Sequence, residues 1–391
     1  MSRYAIIGAG RQGIAVSYYL ARFCGARQIT FLDESPSQAL NAAVTARKII
    51  KESGCRADIS YFDMKTLRQN ISSLKSYDVV IAALPSEHLL EIATIAAELG
   101  VSYCDYGPDT NVIRAQLELD GLARKNGATL VVNNGIGPGL NNIIAVGASR
   151  EFDCDTIKVY VGGIPQDQFC NAIGYQSAFA NVLDGYVGEA TVLENGELKK
   201  IPLPGGFEMF VFQEYGTCWL EAFLTDVGTK LTVELLQKEG RVKNFFEKTL
   251  RWSGHFKFLR QLDCVGFLQT QKIQMGKVSV SPFEVARQCF DNMPRVKEDI
   301  LAFFMYFEKD KKEVARVKMV VRYNPILGLT AMQQATSSNT AIIASLLAQK
   351  KFPSGVFLPE DIINRKLGWR FVVSELQSMG LPISIVEKIP R

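Results

Sequence analysis

A glycine-rich turn close to the first residue constrains the fold of this chain more than any other feature. The turn, GAGRQG at residues 8–13, follows the apolar run 4–7 and precedes a stretch with helical spacing. Gly8 permits a tight turn, Gly10 lets a pyrophosphate approach the backbone, and Gly13 lets the helix pack closely on the strand. The N–H groups at the helix N-terminus then bind the pyrophosphate, with Arg11 and Gln12 beside it. This strand, turn and helix predict a dinucleotide-binding site.

An acidic residue narrows the choice of dinucleotide. Asp33 lies 20 positions beyond Gly13, directly after a second apolar run at 28–32. A carboxylate there accepts hydrogen bonds from both hydroxyls of the adenosine ribose and repels a 2′-phosphate. Since no Lys or Arg follows before Arg47, NAD is the predicted cofactor and NADP the less favoured one. The alternative is that Asp33 only caps the helix that starts near residue 35.

The order of apolar segments predicts two domains with different sheets. Up to residue 134, strand patterns at 57–62, 78–83, 101–105 and 129–132 alternate with helical ones such as 86–99, which is typical of a doubly wound, parallel Rossmann sheet. Between 135 and 325, period-two alternation at 156–161, 207–212 and 315–322 favours a mostly antiparallel sheet in an α+β domain. The helical pattern of 326–391 is expected to complete the first domain.

Composition excludes several classes of function. The net charge of +4 is spread along the chain without a basic tract, so neither a nucleic acid nor a membrane surface is an expected partner. No apolar run approaches membrane-spanning length and no signal peptide precedes the first strand, so a cytoplasmic location is expected. The eight cysteines contain no C-x-x-C pair and there are two histidines, so no metal site is predicted.

In a doubly wound sheet the ligand lies beyond the carboxyl ends of the strands, which directs attention to the loops there. Leu84 and Pro85 follow the fourth predicted strand and are candidates for cofactor contact. Asp105 follows the fifth, where nicotinamide and substrate would meet, and a catalytic and a structural role are equally supported. Asp109 is more simply explained as a helix N-cap.

A third loop, NGIGPGLNN at 134–142, opens an apolar helix. Its glycines expose backbone donors at a helix N-terminus, so Gly139 and Asn141 are candidates for binding a substrate carboxylate. A structural hinge is the equal alternative.

A fourth segment, 247–255, reads as a strand that ends in Gly254 and His255. Arg251 is a candidate for a bidentate pair with a substrate carboxylate, and His255 titrates in the range useful for proton transfer. The alternatives are a structural salt bridge and a packed histidine. Tyr175 is a further candidate for substrate binding, and His88 is assigned to structure.

With these segments, the chain resembles the saccharopine dehydrogenase family, and within it the lysine 6-dehydrogenase-like branch. Besides 8–13, the matching segments are 105–107, 137–142, 162–165, 221–226, 248–251, 254–255 and 330–332. The resemblance implies a dehydrogenase that uses NAD or NADP on a carbon–nitrogen bond of a lysine-derived or polyamine-derived substrate, through an imine that water opens. It also implies an inserted substrate domain and a homodimer.

Two departures from the family pattern leave the substrate open. Where the family tail commonly reads Arg-Thr-Thr-Gly, this chain has QATS at 334–337, and Ile136 replaces a frequent cysteine. The hypothesis is that Arg251 fixes a carboxylate, hydride leaves the amine carbon toward nicotinamide, and either His255 or Asp105 is the base. The alternative is a catalytically silent NAD-binding regulatory or assembly protein. A 2-hydroxy acid dehydrogenase fits the first domain but not the second.

Overall fold

A computed structural model describes residues 2–52, 58–63, 71–167, 182–216, 218–226, 228–292 and 296–388. The chain forms two compact units. The first unit comprises Met1–Ala148 and Gln333–Pro382, and the second comprises Ser149–Met332 and Ile383–Arg391. Within the described ranges, no helix is both long and apolar enough to cross a membrane.

The first unit contains a seven-stranded sheet in which every strand pairs in parallel with its neighbours. Its strands are β1 (Ser2–Ile7), β2 (Ala26–Asp33), β3 (Asp58–Asp63), β4 (Val79–Ala82), β5 (Ser102–Asp105), β6 (Thr129–Val131) and β17 (Gly355–Phe357). They lie in the order β17-β6-β5-β4-β1-β2-β3. The chain therefore reverses its direction of winding between β1 and β4, which is where doubly wound sheets bind ligands.

Helices connect these strands. They are α1 (Arg11–Phe23), α2 (Pro36–Glu52), α3 (Ser86–Leu99), α4 (Thr110–Leu117), α5 (Asp120–Asn126), α6 (Asn141–Glu151), α10 (Ala331–Ala348), α11 (Pro359–Lys366) and α12 (Trp369–Ser378). Every residue of β4 is buried, as expected for a parallel strand covered on both faces. The prediction of a Rossmann sheet is confirmed.

The second unit contains a nine-stranded mixed sheet and a small hairpin. Its strands are β7 (Thr156–Pro165), β8 (Glu189–Glu194), β9 (Glu197–Pro202), β10 (Gly205–Phe212), β11 (Cys218–Leu224), β12 (Asn244–Trp252), β13 (Ile273–Met275), β14 (Val278–Val280), β15 (Asp299–Lys309), β16 (Lys312–Arg322) and β18 (Ile383–Glu387). The main path runs β10-β11-β12-β7-β15-β16-β18, with a single parallel pair, β12 with β7, among its described strands. The prediction of a mostly antiparallel sheet is confirmed.

The described residues of the second unit include three helices, α7 (Lys230–Glu239), α8 (His255–Cys264) and α9 (Pro282–Asp291). A buried cluster joins α8 and α9 to the sheet through Phe223 on β11, Leu259 on α8 and Phe283 on α9. In the sheet, Glu221 on β11 lies directly opposite Arg251 on β12. This register places both side chains on the face that α8 covers.

The tail differs from its purely helical prediction in two places. Residues 355–357 form β17 beside β6, and 383–387 form β18 beside β16. Both segments are too short for periodicity to distinguish a strand from a helix, and sheet pairing decides their conformation. The helix α10 begins where the buried carboxylate of Asp299 accepts hydrogen bonds from the backbone N–H groups of Ala331, at 2.5 Å, and Met332, at 3.1 Å.

Candidate functional site

The glycine-rich turn has the geometry of a dinucleotide-binding turn, with a different requirement at each glycine. Gly8 has φ +97°, and a Cβ on it would lie 2.3 Å from the carbonyl oxygen of Ala83, after β4. A Cβ on Gly13 would lie 2.4 Å from the carbonyl oxygen of Gly8. A Cβ on Gly10 would meet no protein atom within 4 Å. Packing of the protein therefore explains Gly8 and Gly13, whereas the space beside Gly10 fits a ligand that lies against the backbone.

The same turn presents the N-terminus of α1. Gly10 is the N-cap residue and has no side chain to cap the first N–H groups, and Arg11 and Gln12 are half-buried at the first two helical positions. Helix dipole and N–H donors both favour an anion there. The loop after β4 flanks the turn, since a Cβ on Gly8 would lie 3.2 Å from Leu84 Cδ2, and Pro85 next to it is exposed. These residues fit the pyrophosphate of a dinucleotide.

Asp33 stands at the end of β2, with its carboxylate fixed by two backbone donors. The N–H of Ala9 donates to Oδ2 and the N–H of Ser35 donates to Oδ1, each at 2.9 Å. The cap of α2 is provided by Ser35, whose hydroxyl accepts a hydrogen bond from the N–H of Gln38. Asp33 is half-buried and each carboxylate oxygen has a second lone pair, so it can also accept ribose hydroxyls.

Asp105 is fully buried at the end of β5 and accepts four hydrogen bonds. The N–H groups of Gly107 and Asn133 donate to Oδ1 at 3.1 and 2.9 Å, and the Tyr103 hydroxyl and Gln116 amide donate to Oδ2 at 2.8 and 2.7 Å. Burial raises the pKa of the Asp105 carboxyl, and the four donors oppose this rise. This geometry favours the structural alternative, in which Asp105 ties the loop after β5 to the loop after β6.

Replacing Asp105 by Asn should destabilise the protein by about 2–4 kcal/mol, because in either orientation the new NH₂ group takes the place of an oxygen that accepts two buried hydrogen bonds. Since the folded-state pKa of Asp105 is raised, the wild-type protein loses stability as pH rises through that pKa, and Asn removes this loss. Urea unfolding should therefore show the largest penalty near pH 4 and a smaller one at higher pH. A variant of unchanged stability that lost all activity would instead identify Asp105 as the base.

Asp109 is an N-cap, as predicted. Its Oδ1 accepts hydrogen bonds from the N–H groups of Asn111 and Val112 at the start of α4, at 2.8 and 3.2 Å.

The turn before α6 gathers buried amide side chains. Asn133 has a left-handed backbone, φ +68°, and Gly139 has φ +123°. The side-chain oxygen and nitrogen of Asn133 and Asn142 are buried and form no hydrogen bonds with any described residue. Asn141 Oδ1 accepts a hydrogen bond from the N–H of Asn142 at 2.8 Å. Buried polar atoms normally have partners, so this turn suits a polar ligand that offers both donors and acceptors.

In the second unit, Arg251 is held against Tyr186. Its Nε donates to the Tyr186 hydroxyl at 2.9 Å, and its Nη1 donates to the carbonyl oxygens of Leu250 and Gly163 at 2.9 and 3.5 Å. These three acceptors orient the guanidinium group. Burial raises the pKa of Tyr186, and the Arg251 charge opposes the rise.

His255 is the first residue of α8 and is 2% exposed. Its ring packs edge-on against Tyr186, with centroids 5.5 Å apart, and stacks on Phe223 at 6.0 Å. Glu221 fixes the start of this helix, since its Oε1 accepts a hydrogen bond from the N–H of Gly254 at 2.8 Å and its Oε2 accepts one from Phe256 at 2.7 Å. The structure thus brings Arg251 and His255 together through Tyr186, as one cluster.

Sequence reasoning did not identify Tyr186, Asn133 or the capping role of Glu221. For Asn133 a signal was present, because an Asn-Asn pair directly after an apolar strand favours a left-handed residue. Tyr175 lies outside the described residues. Among the residues that the structure describes, no three His, Cys, Asp or Glu side chains lie close enough together to hold a metal ion.

Comparison with known families decides the affiliation of the chain. The model of the saccharopine dehydrogenase NADP binding domain matches residues 4–131, and that of the saccharopine dehydrogenase C-terminal domain matches residues 135–381. The chain belongs to the saccharopine dehydrogenase family. The resemblance drawn from the sequence motifs is therefore confirmed. The family is one of oxidoreductases, and the first of these domains binds a pyridine nucleotide.

A solved saccharopine dehydrogenase has a fold that agrees with this assignment. Apo saccharopine dehydrogenase (L-Glu forming) from Saccharomyces cerevisiae is similar with a TM-score of 0.74 at 15% identity, over 99% of this chain and 100% of that chain. An amine dehydrogenase from Mycobacterium smegmatis matches with a TM-score of 0.43 at 12% identity, over 92% and 96% of the two chains. The dihydrodipicolinate reductase from Paenisporosarcina sp. TG-14 matches with a TM-score of 0.40 at 11% identity, over 94% and 100%.

Proposed function

We propose that this protein is an NAD-dependent dehydrogenase acting on a carbon–nitrogen bond of a lysine-derived amino acid, of the saccharopine dehydrogenase or lysine 6-dehydrogenase type. The observation that carries this proposal is the Arg251, Tyr186 and His255 cluster in a member of this family. The cluster combines a cation suited to a carboxylate with a side chain suited to proton transfer. An amino-acid substrate needs both.

The first unit would hold the cofactor. Gly8, Gly10 and Gly13, with Arg11 and Gln12, would hold the pyrophosphate, and Leu84 and Pro85 would flank the nicotinamide half. When bound, nicotinamide supplies a hydride acceptor for the carbon that bears the substrate nitrogen. Asp33 supports NAD, although the matching family model is named for NADP. Two backbone donors fix this carboxylate in the position where it would repel a 2′-phosphate.

Replacing Asp33 by Ala should raise the Kd for NAD⁺ by about tenfold to a hundredfold, the loss of roughly two charge-assisted hydrogen bonds. The Kd for NADP⁺ should stay the same or fall, because the repelling charge is gone. Titration calorimetry with both nucleotides measures this. Glu34→Ala is the matched control, since it removes an exposed carboxylate next in sequence. Equal losses for NAD⁺ and NADP⁺ would show that Asp33 does not contact the ribose.

Arg251 would bind the substrate carboxylate. Its guanidinium is half-buried and oriented by three neutral acceptors, which reduces the entropy lost on forming a bidentate pair. Within the first unit, the turn at 135–142, with Gly139 and Asn141, is a separate candidate for binding a polar group of the substrate through its backbone donors and the Asn133 and Asn142 amides.

Of the two candidate bases, we propose His255. Hydride loss is easier from a carbon next to a neutral amine, so the substrate ammonium must first lose a proton to a base. The Asp105 carboxylate already accepts four hydrogen bonds from groups of its own unit, which assigns it to structure. An imidazole nitrogen of His255 would accept the proton, with the ring held in place by Tyr186 and Phe223.

We also propose a homodimer. Met209, Val211 and Trp219 are exposed apolar side chains on one face of β10 and β11, and exposed apolar groups in such a patch are typical of an interface. Sedimentation equilibrium measures the mass of the assembly.

The decisive experiment is reduction of NAD⁺ at 340 nm across diamino acids and their condensation products with oxo acids. Turnover with one lysine-derived member is expected. The second candidate is a catalytically silent NAD-binding regulatory or assembly protein. The QATS segment at 334–337 supports it, because this segment lacks the cation and the glycine of the family pattern. That candidate predicts NAD binding without turnover on any member of the panel.

A further inference from the structure

The first half of α10 is polar and buried, which is unusual for a helix packed beside a parallel sheet. Ser337, Ser338, Asn339 and Thr340 are each 0% exposed. Burying a hydroxyl or an amide costs free energy unless a hydrogen bond replaces its contacts with water. The partners of these side chains therefore show what the helix does.

Polar side chains of this half of the helix, including the buried Gln333, form hydrogen bonds with loops at the carboxyl ends of the strands. Gln333 Nε2 donates to the carbonyl oxygen of Arg11 at 2.8 Å. Asn339 Nδ2 donates to the carbonyl oxygen of Gly135, also at 2.8 Å. The Ser337 hydroxyl donates to Gln12 Oε1 at 2.7 Å and, at the longer distance of 3.3 Å, to the carbonyl oxygen of Gln12. The helix thus contacts both the glycine-rich turn and the turn before α6.

The contact between Ser337 and Gln12 differs from the other two because it fixes a side chain of the proposed anion site. Gln12 is the second residue of α1, in the turn whose N–H groups point toward a bound pyrophosphate. Because Oε1 accepts from Ser337, the two N–H donors on Nε2 must point away from that hydroxyl. Within the part of the chain that the structure describes, Gln12 Nε2 donates to no other group, and the side chain is half-buried.

We propose that Ser337 is a positioning residue that turns the Gln12 amide N–H groups toward the pyrophosphate of the bound dinucleotide. The proposal rests on dinucleotide binding by the first unit, as in the proposed function. Position 337 is where the family pattern commonly has glycine, which has no hydroxyl. The hydroxyl at position 337 then orients a neutral donor, the Gln12 amide, in the anion site.

The test compares two neighbouring buried serines. Ser337→Ala should raise the Kd of the intact protein for NADH by about fivefold to tenfold, and the KM for NAD⁺ likewise, with kcat unchanged. Ser338→Ala is the matched control, because the Ser338 hydroxyl is equally buried but donates to the carbonyl oxygen of Ala335 in the same helix, at 3.1 Å. Its Kd should stay within about twofold of wild type. Equal Kd values for the two variants would overturn the proposal.

A double-mutant cycle separates positioning from general loosening of the fold. In a Gln12→Met background, Ser337→Ala should change the Kd by less than about twofold, since no amide remains to be oriented. Gln12→Glu should weaken binding by more than tenfold without lowering Tm, because its carboxylate still accepts from Ser337 but repels the phosphates. Additive effects of Gln12→Met and Ser337→Ala would overturn the proposal. If the wild-type protein bound neither NADH nor NADPH, both the positioning role of Ser337 and the proposed function would be wrong. If the wild-type protein bound NADH and Ser337→Ala left the Kd unchanged, only the positioning role would be wrong.

Discussion

Replacing Gly10 by Ala should weaken NAD⁺ binding by about a hundredfold or more, while the free energy of unfolding changes by less than about 1 kcal/mol. In the protein, a Cβ on Gly10 meets no atom within 4 Å, and the backbone there is extended, with φ −81° and ψ −165°, which Ala adopts readily. In the complex, the same methyl group would occupy the space through which the pyrophosphate reaches the N–H groups of α1.

The other glycines of the turn provide the contrast. Gly13→Ala should lose both binding and stability, the latter by about 2–4 kcal/mol, because its Cβ would overlap the carbonyl oxygen of Gly8. Gly121→Ala, on α5, is the control, because it also adds a methyl group to open space. It should weaken neither NAD⁺ binding nor the stability of the protein. Calorimetric titration and urea unfolding of the three variants separate the two effects. Unchanged NAD⁺ affinity in Gly10→Ala would show that the pyrophosphate does not lie on this turn.

Replacing Arg251 by Ala should lower kcat/KM for the amino-acid substrate by about a thousandfold, a loss of roughly 4 kcal/mol of transition-state stabilisation. The loss has two sources, the charge-assisted bidentate pair and the alignment of the reacting carbon that the pair provides. Arg251→Lys should recover only part of it, because an ammonium group keeps the charge but not the planar pair of donors.

Two controls test the role of Arg251, a substrate analogue without the carboxylate and a variant of a neighbouring residue. Loss of Arg251 removes the donor to the Tyr186 hydroxyl and so disturbs the cluster for every substrate. An analogue without the carboxylate should therefore lose far less activity than the amino acid, and the ratio of the two losses isolates the carboxylate contact. Lys248→Met, on the same strand but paired with Glu208, should affect both substrates equally. Equal losses for both substrates in Arg251→Ala would assign Arg251 to structure.

Periodic patterns in the sequence predicted the helices and strands whose conformation depends on residues close to one another in the chain. The helix predicted at 86–99 is α3 with the same bounds, and the strand predicted before Gly254 is β12. Asp105 could not be resolved in the same way, because its four donors come from β5, α4 and two loops that only the folded sheet brings together. The link between Arg251 and His255 was equally hidden, since it runs through Tyr186, more than 60 residues earlier.

The register of β11 and β12 makes the proposed substrate cluster tolerant of some changes in length and intolerant of others. Glu221 lies opposite Arg251 and also holds the first turn of α8, so two elements take their position from one strand pair. Insertions in the connection between β11 and β12 that preserve this pairing leave the cluster intact. Deletion of one residue within β11 would turn Glu221 to the other face of the sheet. The cluster therefore depends on the spacing of residues inside the two strands, not on the length of the chain that connects them.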